Sequence, residues 1–436
     1  MSQALQYEMK DSGVEWIGEI PKGWDTKRIK SLALSSNSLF LDGDWINSPD
    51  ISESGIRYFT TGNVGQGFFK EQGNSYITAE TFERLACTMV HAGDLIISRL
   101  NEPIGRACII PTKYEDCIVA VDNVILRPDV GYCKKFLMYC MSSDRYAEFT
   151  ALLARGTTMH RISRMQLGNI TLPVPSLPEQ EAIASYLDDK CSAIDTIIAE
   201  AKATIEEYKA WKASVIFETV TKGLDPNAEM KDSGVEWIGK VPKHWEVSKM
   251  KGILRNVSIK GHPNAQVLSL YREFGVIPKD SRDDNHNVTS EDTASYKFVE
   301  NGDLVINKMK AWQGSLGVSQ YEGIVSPAYY VCKFISNGIS RKFLHHLIRS
   351  KAYAQEFERL STGMRVGQWD LGIDGFLRVP LLLPPLPEQA AIASYLDDKC
   401  AAIDGIIAEK EALIAELESY KKSLIFETVT GKRRVV

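Results

Sequence analysis

Apolar side chains fall in two different rhythms along this chain. In the stretches that follow Pro178 and Pro387, apolar or small residues recur alternately four and three apart. The first set is Leu187, Cys191, Ile194, Ile198, Ala201, Ile205 and Tyr208. The second is Leu396, Cys400, Ile403, Ile407, Ile414 and Leu417, with Lys410 standing where Ala201 stood. This is the a/d spacing of a coiled-coil seam. It predicts two helices of about 44 residues, each roughly 66 Å long at 1.5 Å per residue. A helix of that length with one apolar stripe needs a partner, and the nearest candidate is its twin. The expected interface is Leu187, Ile194, Ile198 and Ile205 against Leu396, Ile403, Ile407 and Ile414. Pro173, Pro175 and Pro178, like Pro384, Pro385 and Pro387, stop the preceding strand and open each helix.

Elsewhere the apolar runs are short and broken by Gly and Asn. IRYFTTGNV, DLIISRL, RACII and CIVAVDNVIL in the first half, and VLSLY, DLVINKM and PAYYVCKF in the second, read as strands. KKFLMYCMSSDRYAEFTALLARGT and RKFLHHLIRSKAYAQEFERLSTG each read as one amphipathic helix running into a loop, at Gly156 and Gly363. The halves are copies of one unit. EMKDSGVEWIGEIPKGW, from Glu8, returns as EMKDSGVEWIGKVPKHW from Glu229, and LPEQEAIASYLDDKCSAIDTIIAE, from Leu177, returns as LPEQAAIASYLDDKCAAIDGIIAE from Leu386. Val90 to Leu100 likewise matches Val299 to Met309. The expected fold is mixed α+β, with two globular α/β domains at residues 1–177 and 223–386. Two long helices, at 178–222 and 387–430, separate them as an antiparallel coiled coil with pseudo-two-fold symmetry, because two like units most readily close through a two-fold axis.

At 436 residues the chain exceeds one compact core, and 44% apolar with 25% charged residues is an ordinary globular composition. The N-terminus lacks the basic start and apolar core of a signal peptide, and no run reaches membrane-span length, so a cytoplasmic location is expected. Eight scattered cysteines without a CxxC pair are expected to be reduced and mostly buried. The net charge of −5 is uneven. Residues 178–228 carry 5 Lys+Arg against 10 Asp+Glu, whereas residues 229–386 carry 21 against 17. A phosphate-binding surface can therefore exist locally despite the acidic total.

Catalytic motifs are sparse. The sequence has no GxxxxGK[ST] loop, and Gly62, Gly65 and Gly67 have the wrong spacing for a dinucleotide turn. None of the seven histidines forms HExxH or stands at metal-ligand spacing from Cys. Ser326-Pro327-Ala328-Tyr329 is only a broken likeness of an amino-methyltransferase tetrad. Asp188-Asp189-Lys190 and Asp397-Asp398-Lys399 hint at a nuclease site, but three successive helical residues cannot share one face, which favours a solvated flank.

The doubled LPEQ-xx-IASYLDDK helix, the DSGVEWIG opening and NKMKAWQGSLGVSQYEGIVSPAYYV from Asn307 together resemble the specificity subunit of a type I restriction-modification system, over essentially the whole chain. The resemblance implies two target recognition domains, each reading half of a bipartite double-stranded DNA target, with the helices fixing the gap. It implies two modification (methyltransferase) subunits and restriction subunits as partners. S-adenosylmethionine, ATP and Mg²⁺ then belong to those partners, with no cofactor or metal on this chain and no catalysis by it. Alternatives are a coiled-coil scaffold without DNA contact, or a DNA methyltransferase or nuclease with an unrecognised site. Base contacts call for Arg, Lys, Asn or Gln on loops beside strands. The corresponding loops SRLNEPIGR and NKMKAWQG offer Arg99, Asn101 and Arg106, and Lys308, Lys310, Trp312 and Gln313. Arg161, Arg164, Arg365 and Gln368 are further candidates, for phosphate. At each position an ordinary exposed side chain is the alternative.

Overall fold

The computed structural model describes residues 8–156, 159–271, 275–281, 293–363 and 369–435. The chain forms two compact units, one of Met1–Ala201 with Ala412–Val436 and one of Lys202–Glu411. Among the described residues no helix is long and apolar enough to cross a membrane.

Each unit contains the same hairpin, Met9–Asp11 against Glu19–Pro21 in one and Met230–Asp232 against Lys240–Pro242 in the other. The near-identical sequence has a local reason. Asp11 and Asp232 accept the amides of Gly13 and Gly234 at 2.9 and 2.8 Å, closing Asx turns over glycines at φ 69° and 72°. The closing tryptophan then reaches the start of a long helix. Trp24 Nε1 donates to Glu179 at 3.3 Å, and Trp245 Nε1 to Glu388 at 3.0 Å. The glutamine of LPEQ is buried and satisfied in both units. Gln180 donates to Pro175 O and accepts from Cys133 N, both at 2.9 Å, while Gln389 donates to Pro384 O at 2.8 Å and accepts from Ser340 N at 2.6 Å. The repeated motifs thus fasten each mixed domain to the head of its helix.

The central sheet of each unit has four antiparallel strands in the same order. In the first unit this is Leu39–Asp42, Asn123–Arg127, Leu95–Ser98, Ala107–Ile109. In the second it is Leu254–Val257, Tyr329–Phe334, Leu304–Asn307, Leu316–Val318. The register aligns Ser98 with Asn123 and Asn307 with Tyr329, so these pairs mark the same end of the two sheets. Strands Leu95–Ser98 and Leu304–Asn307 are buried throughout, as expected where both faces are covered.

One expectation is corrected in both units. The single amphipathic helix is two helices, Lys134–Ser142 then Asp144–Leu153, and Arg341–Arg349 then Lys351–Leu360. The breaks fall at Ser143 and Ser350, whose backbones are extended at ψ 146° and 152°. Ser143 Oγ donates to Cys140 O, the local hydroxyl-to-backbone bond by which serine competes with helix propagation.

The long helices run Leu177–Lys222 and Leu386–Val429, 46 and 44 residues. Leu187, Cys191, Ile194, Ile198, Ala201 and Ile205 are buried on one, and Leu396, Ile403 and Ile414 on the other, with Ile407 half-buried. Within the first unit both carboxylate oxygens of Asp195 lie 2.6 Å from Lys421, and Arg433 stands near Tyr186. Within the second, Lys212 holds Asp404 at 2.7 and 2.6 Å, and Gly223 lies beside Glu388. In each unit one number rises as the other falls, so the paired segments are antiparallel. Asp195 and Asp404 are equivalent in the repeat, as are Lys212 and Lys421, so each unit makes the same contact with the partners exchanged. The flanking acidic triplets are more than solvated: Asp188 accepts Tyr139 Oη at 2.8 Å and pairs with Lys135, and Asp397 meets His346 at 2.8 Å and Lys342 at 2.9 Å. All eight cysteines are free, and burial pushes the Cys191 thiol to about 11 and those of Cys108, Cys117 and Cys332 to about 12.

Candidate nucleic-acid interface

The loops expected to touch DNA leave the central sheets at the marked ends, and the two units furnish those ends differently. In the first, the hairpin loop after Ser98 is built around two arginines that the sequence reading placed on the surface. Both are buried, with 4% and 7% exposure for Arg99 and Arg106. The Arg106 guanidinium donates to five carbonyls: Val64 O at 2.6 Å, Thr61 O at 2.9 Å, and Leu100, Asn101 and Pro103 O at 3.1, 2.7 and 3.0 Å. It ties the TTGNV turn to the hairpin loop and has no fork left for a base edge. Arg99 donates to Ile162 O at 3.1 Å and Val121 O at 2.7 Å. Burial draws its guanidinium below its ordinary value, opposed by Asp42 and Asp122. Both arginines shape the loop from within. Asn101, with φ 59°, stays exposed at its tip.

The exposed charge at this end comes from another segment. Arg155 and Arg161 exchange backbone hydrogen bonds at 3.0 Å, His160 O accepts from Asn101 N at 3.1 Å, and Ile162 N donates to Arg99 O at 3.2 Å. The chain around Arg161 is therefore laced to the hairpin loop. Arg161 Nη2 lies 2.7 Å from Asp122, and Arg164 Nε lies 3.6 Å from Asp42. Arg99 stands behind both carboxylates, 3.1 Å from Asp42 and 3.9 Å from Asp122. Three guanidinium groups and two carboxylates thus form one network, with Arg161 and Arg164 about half exposed at its surface.

In the second unit the equivalent end is open. A cavity of about 370 Å³ is lined by Ser269, Lys279, Tyr296, Asn307, Lys310, Ser326 and Tyr329, among others. Ala328 and Tyr329 stand where the first unit has Asp122 and Asn123, and Ser315 replaces Arg106. Lys310 and Gln313 are exposed. Lys308 pairs with Asp370 at 2.8 Å, which raises its pKa. Trp312 Nε1 donates to Met309 O at 3.0 Å, and its ring meets Trp369 at 5.5 Å, tilted by 53°. Lys297 is held near Tyr329 O, and burial lowers its pKa. Arg365 and Gln368 lie outside the described residues.

The two loops named from the sequence do lie at these sheet ends, and Asp42, Asp122, Tyr296, Lys297 and Trp369, which stand with them, were not among the expected residues. Asp42 sits in the LDGDW stretch and has no pattern that announces its pairing, since its arginine partners lie far along the chain.

Two segments of the chain, residues 21–207 and 242–418, match the type I restriction modification DNA specificity domain. The chain belongs to that family. It is similar to the StySPI specificity subunit of Salmonella potsdam, 22% identical over 427 residues that cover 95% of this chain and 90% of the relative. It is also similar to the EcoKI specificity subunit of Escherichia coli K12, 22% identical over 335 residues, 71% of this chain and 67% of the relative. Among solved structures, the HsdS subunit of Thermoanaerobacter tengcongensis shares the fold at a TM-score of 0.55 and 16% identity, over 95% and 98% of the two chains. A chain from a study of complex assembly in the type I R-M system does so at 0.71 and 14%, over 95% and 99%. Membership makes this specificity subunit a sequence-specific DNA-recognition component, non-catalytic within a type I system.

Proposed function

We propose that this specificity subunit reads a bipartite double-stranded DNA target, the first repeat one half and the second repeat the other, and directs two modification subunits and the restriction subunits to it. The observation that carries this reading is the recurrence of one sheet scaffold whose marked ends bear unlike side chains: an arginine–aspartate network in one repeat, a lysine- and tyrosine-lined cavity in the other. A shared scaffold with unlike ends suits two readers of different sequences. Residues 1–177 and 223–386 serve as the recognition domains, and the helices at 178–222 and 387–430 set their separation. S-adenosylmethionine, ATP and Mg²⁺ act on the partner subunits, which supply methyl transfer, translocation and cleavage.

The test is modified-base mapping in cells that express this chain with its modification partner. A two-part motif with a fixed spacer is expected. Adding one heptad after Glu206 and one after Lys410 preserves the apolar stripe. These sites lie six residues before Lys212 and six after its partner Asp404. The insertion lengthens the helix pair by about 10.5 Å. With one charge per ~1.7 Å of duplex axis, or ~3.4 Å per base pair, the spacer should grow by about three base pairs or modification should cease. A heptad variant that modifies the original motif at full level refutes the spacing role.

A further inference from the structure

We propose that Arg161 reads a guanine in the half-site of the first repeat, and that Asp122 is its positioning residue. The assignment rests on the DNA-recognition reading above and adds to it the residue and the base. Arg161 is fixed in three ways. Its backbone is laced to Arg155, and its neighbours His160 and Ile162 are bonded to Asn101 and Arg99. Ile162 is fully buried, so in this extended segment the adjacent Arg161 side chain points the opposite way, outward. Its Nη2 lies 2.7 Å from Asp122, while 47% of the side chain remains exposed.

Guanidinium has five donors in a rigid fork, and one Asp122 oxygen beside Nη2 can engage only one of its two N–H groups, leaving the other to pair with the parallel N–H of Nε or Nη1. A side chain already held by a carboxylate loses little rotamer freedom on binding. The surroundings then choose between the two DNA groups that arginine binds. A phosphate carries a full negative charge and would approach two carboxylates, Asp42 and Asp122, embedded in the same network. The O6 and N7 edge of guanine is neutral and accepts two hydrogen bonds, the commonest specific arginine contact in the major groove. Interleaved carboxylates repel the first far more than the second. Arg106, the other arginine of this loop system, is spent on five carbonyls, and Arg99 is buried behind the aspartates.

The experiment uses the assembled modification complex and a duplex carrying the mapped wild-type target, with each guanine replaced in turn by 7-deazaguanine, which lacks the N7 acceptor. For the wild-type complex one guanine of one half-site should cost roughly 5- to 150-fold in affinity when replaced. In Arg161→Ala, which removes every donor at this position, that replacement should have no further effect. Asp122→Asn should weaken discrimination at the same guanine. Discrimination within the other half-site should stay at the wild-type level in both variants, which reports an intact fold. Unaltered discrimination at every guanine in Arg161→Ala overturns the assignment. So does a uniform loss across all sequences in Arg161→Ala with a shallower salt dependence, the signature of a phosphate contact. If the wild-type complex shows no preference for its mapped target, the recognition reading itself fails, and this assignment with it.

Discussion

The two repeats use one scaffold and solve opposite problems at the same sheet end. In the first, buried arginines fill the space. Arg106 gathers carbonyls from two loops, and Arg99 with Asp42 and Asp122 braces Arg161 and Arg164. In the second, Ser315 replaces Arg106 and no aspartate stands at the position of Asp122, so a cavity opens between Lys310, Tyr296 and Tyr329. The contrast shows how a repeated fold diversifies. The clasp of Trp24 on Glu179 and Trp245 on Glu388, which fastens domain to helix, is kept nearly unchanged, while the sheet ends exchange a charged network for an open, aromatic one.

The largest effect should come from removing the organiser of the first repeat. Arg106→Ala leaves several carbonyls without donors and should cost at least about 3 kcal/mol, since each buried polar group left unsatisfied costs ~1–3 kcal/mol. Ser315→Ala at the equivalent place removes one 3.4 Å bond to Leu270 O and should cost under about 1 kcal/mol. Chemical denaturation of the two variants checks the ratio, and equal losses would erase the asymmetry between the repeats.

A smaller, pH-dependent difference arises where each domain meets its long helix. The first repeat has Met138 and Tyr139 where the second has His345 and His346. Burial holds His345 down to about 3 and draws His346 below its ordinary value, although His346 faces Asp397 with Lys342 and Arg349 nearby. Both folded values lie below the unfolded one, so the unfolded chain binds protons first as the solution is acidified. The stabilisation is complete above about pH 6.5 and is lost as pH falls toward the folded values, at no more than ~1.4 kcal/mol per pH unit for each histidine. Hydrogen exchange between pH 7 and 4.5 should show the second unit losing protection faster than the first. The double substitution His345→Met with His346→Tyr, the residues of the first repeat, should flatten that slope, and an unchanged slope would place the acid sensitivity elsewhere.

Much of the architecture is legible in the sequence because it rests on periodicity and repetition. The four-three spacing from Leu187 onward needs no tertiary knowledge to announce a paired helix, and the strand runs around Leu95 and Leu304 announce themselves by composition. The sheet-end chemistry is harder to read. Nothing local distinguishes an arginine that folds inward onto carbonyls, as Arg106 does, from one that faces solvent, as Arg161 does, since the difference lies in turns forty residues away. The helix breaks at Ser143 and Ser350 were hidden for a related reason: serine tolerates a helix interior, and tertiary packing decided against it.

The most direct measurement is genome-wide modified-base mapping of two variants side by side, Arg161→Ala in the first repeat and Lys310→Ala in the second. Separate readers on a shared scaffold predict that each variant relaxes a different half of the motif, leaving the other half and the spacer as in the wild type. If both variants altered the same half, or either altered both halves together, the claim that each repeat reads its own half-site would be contradicted.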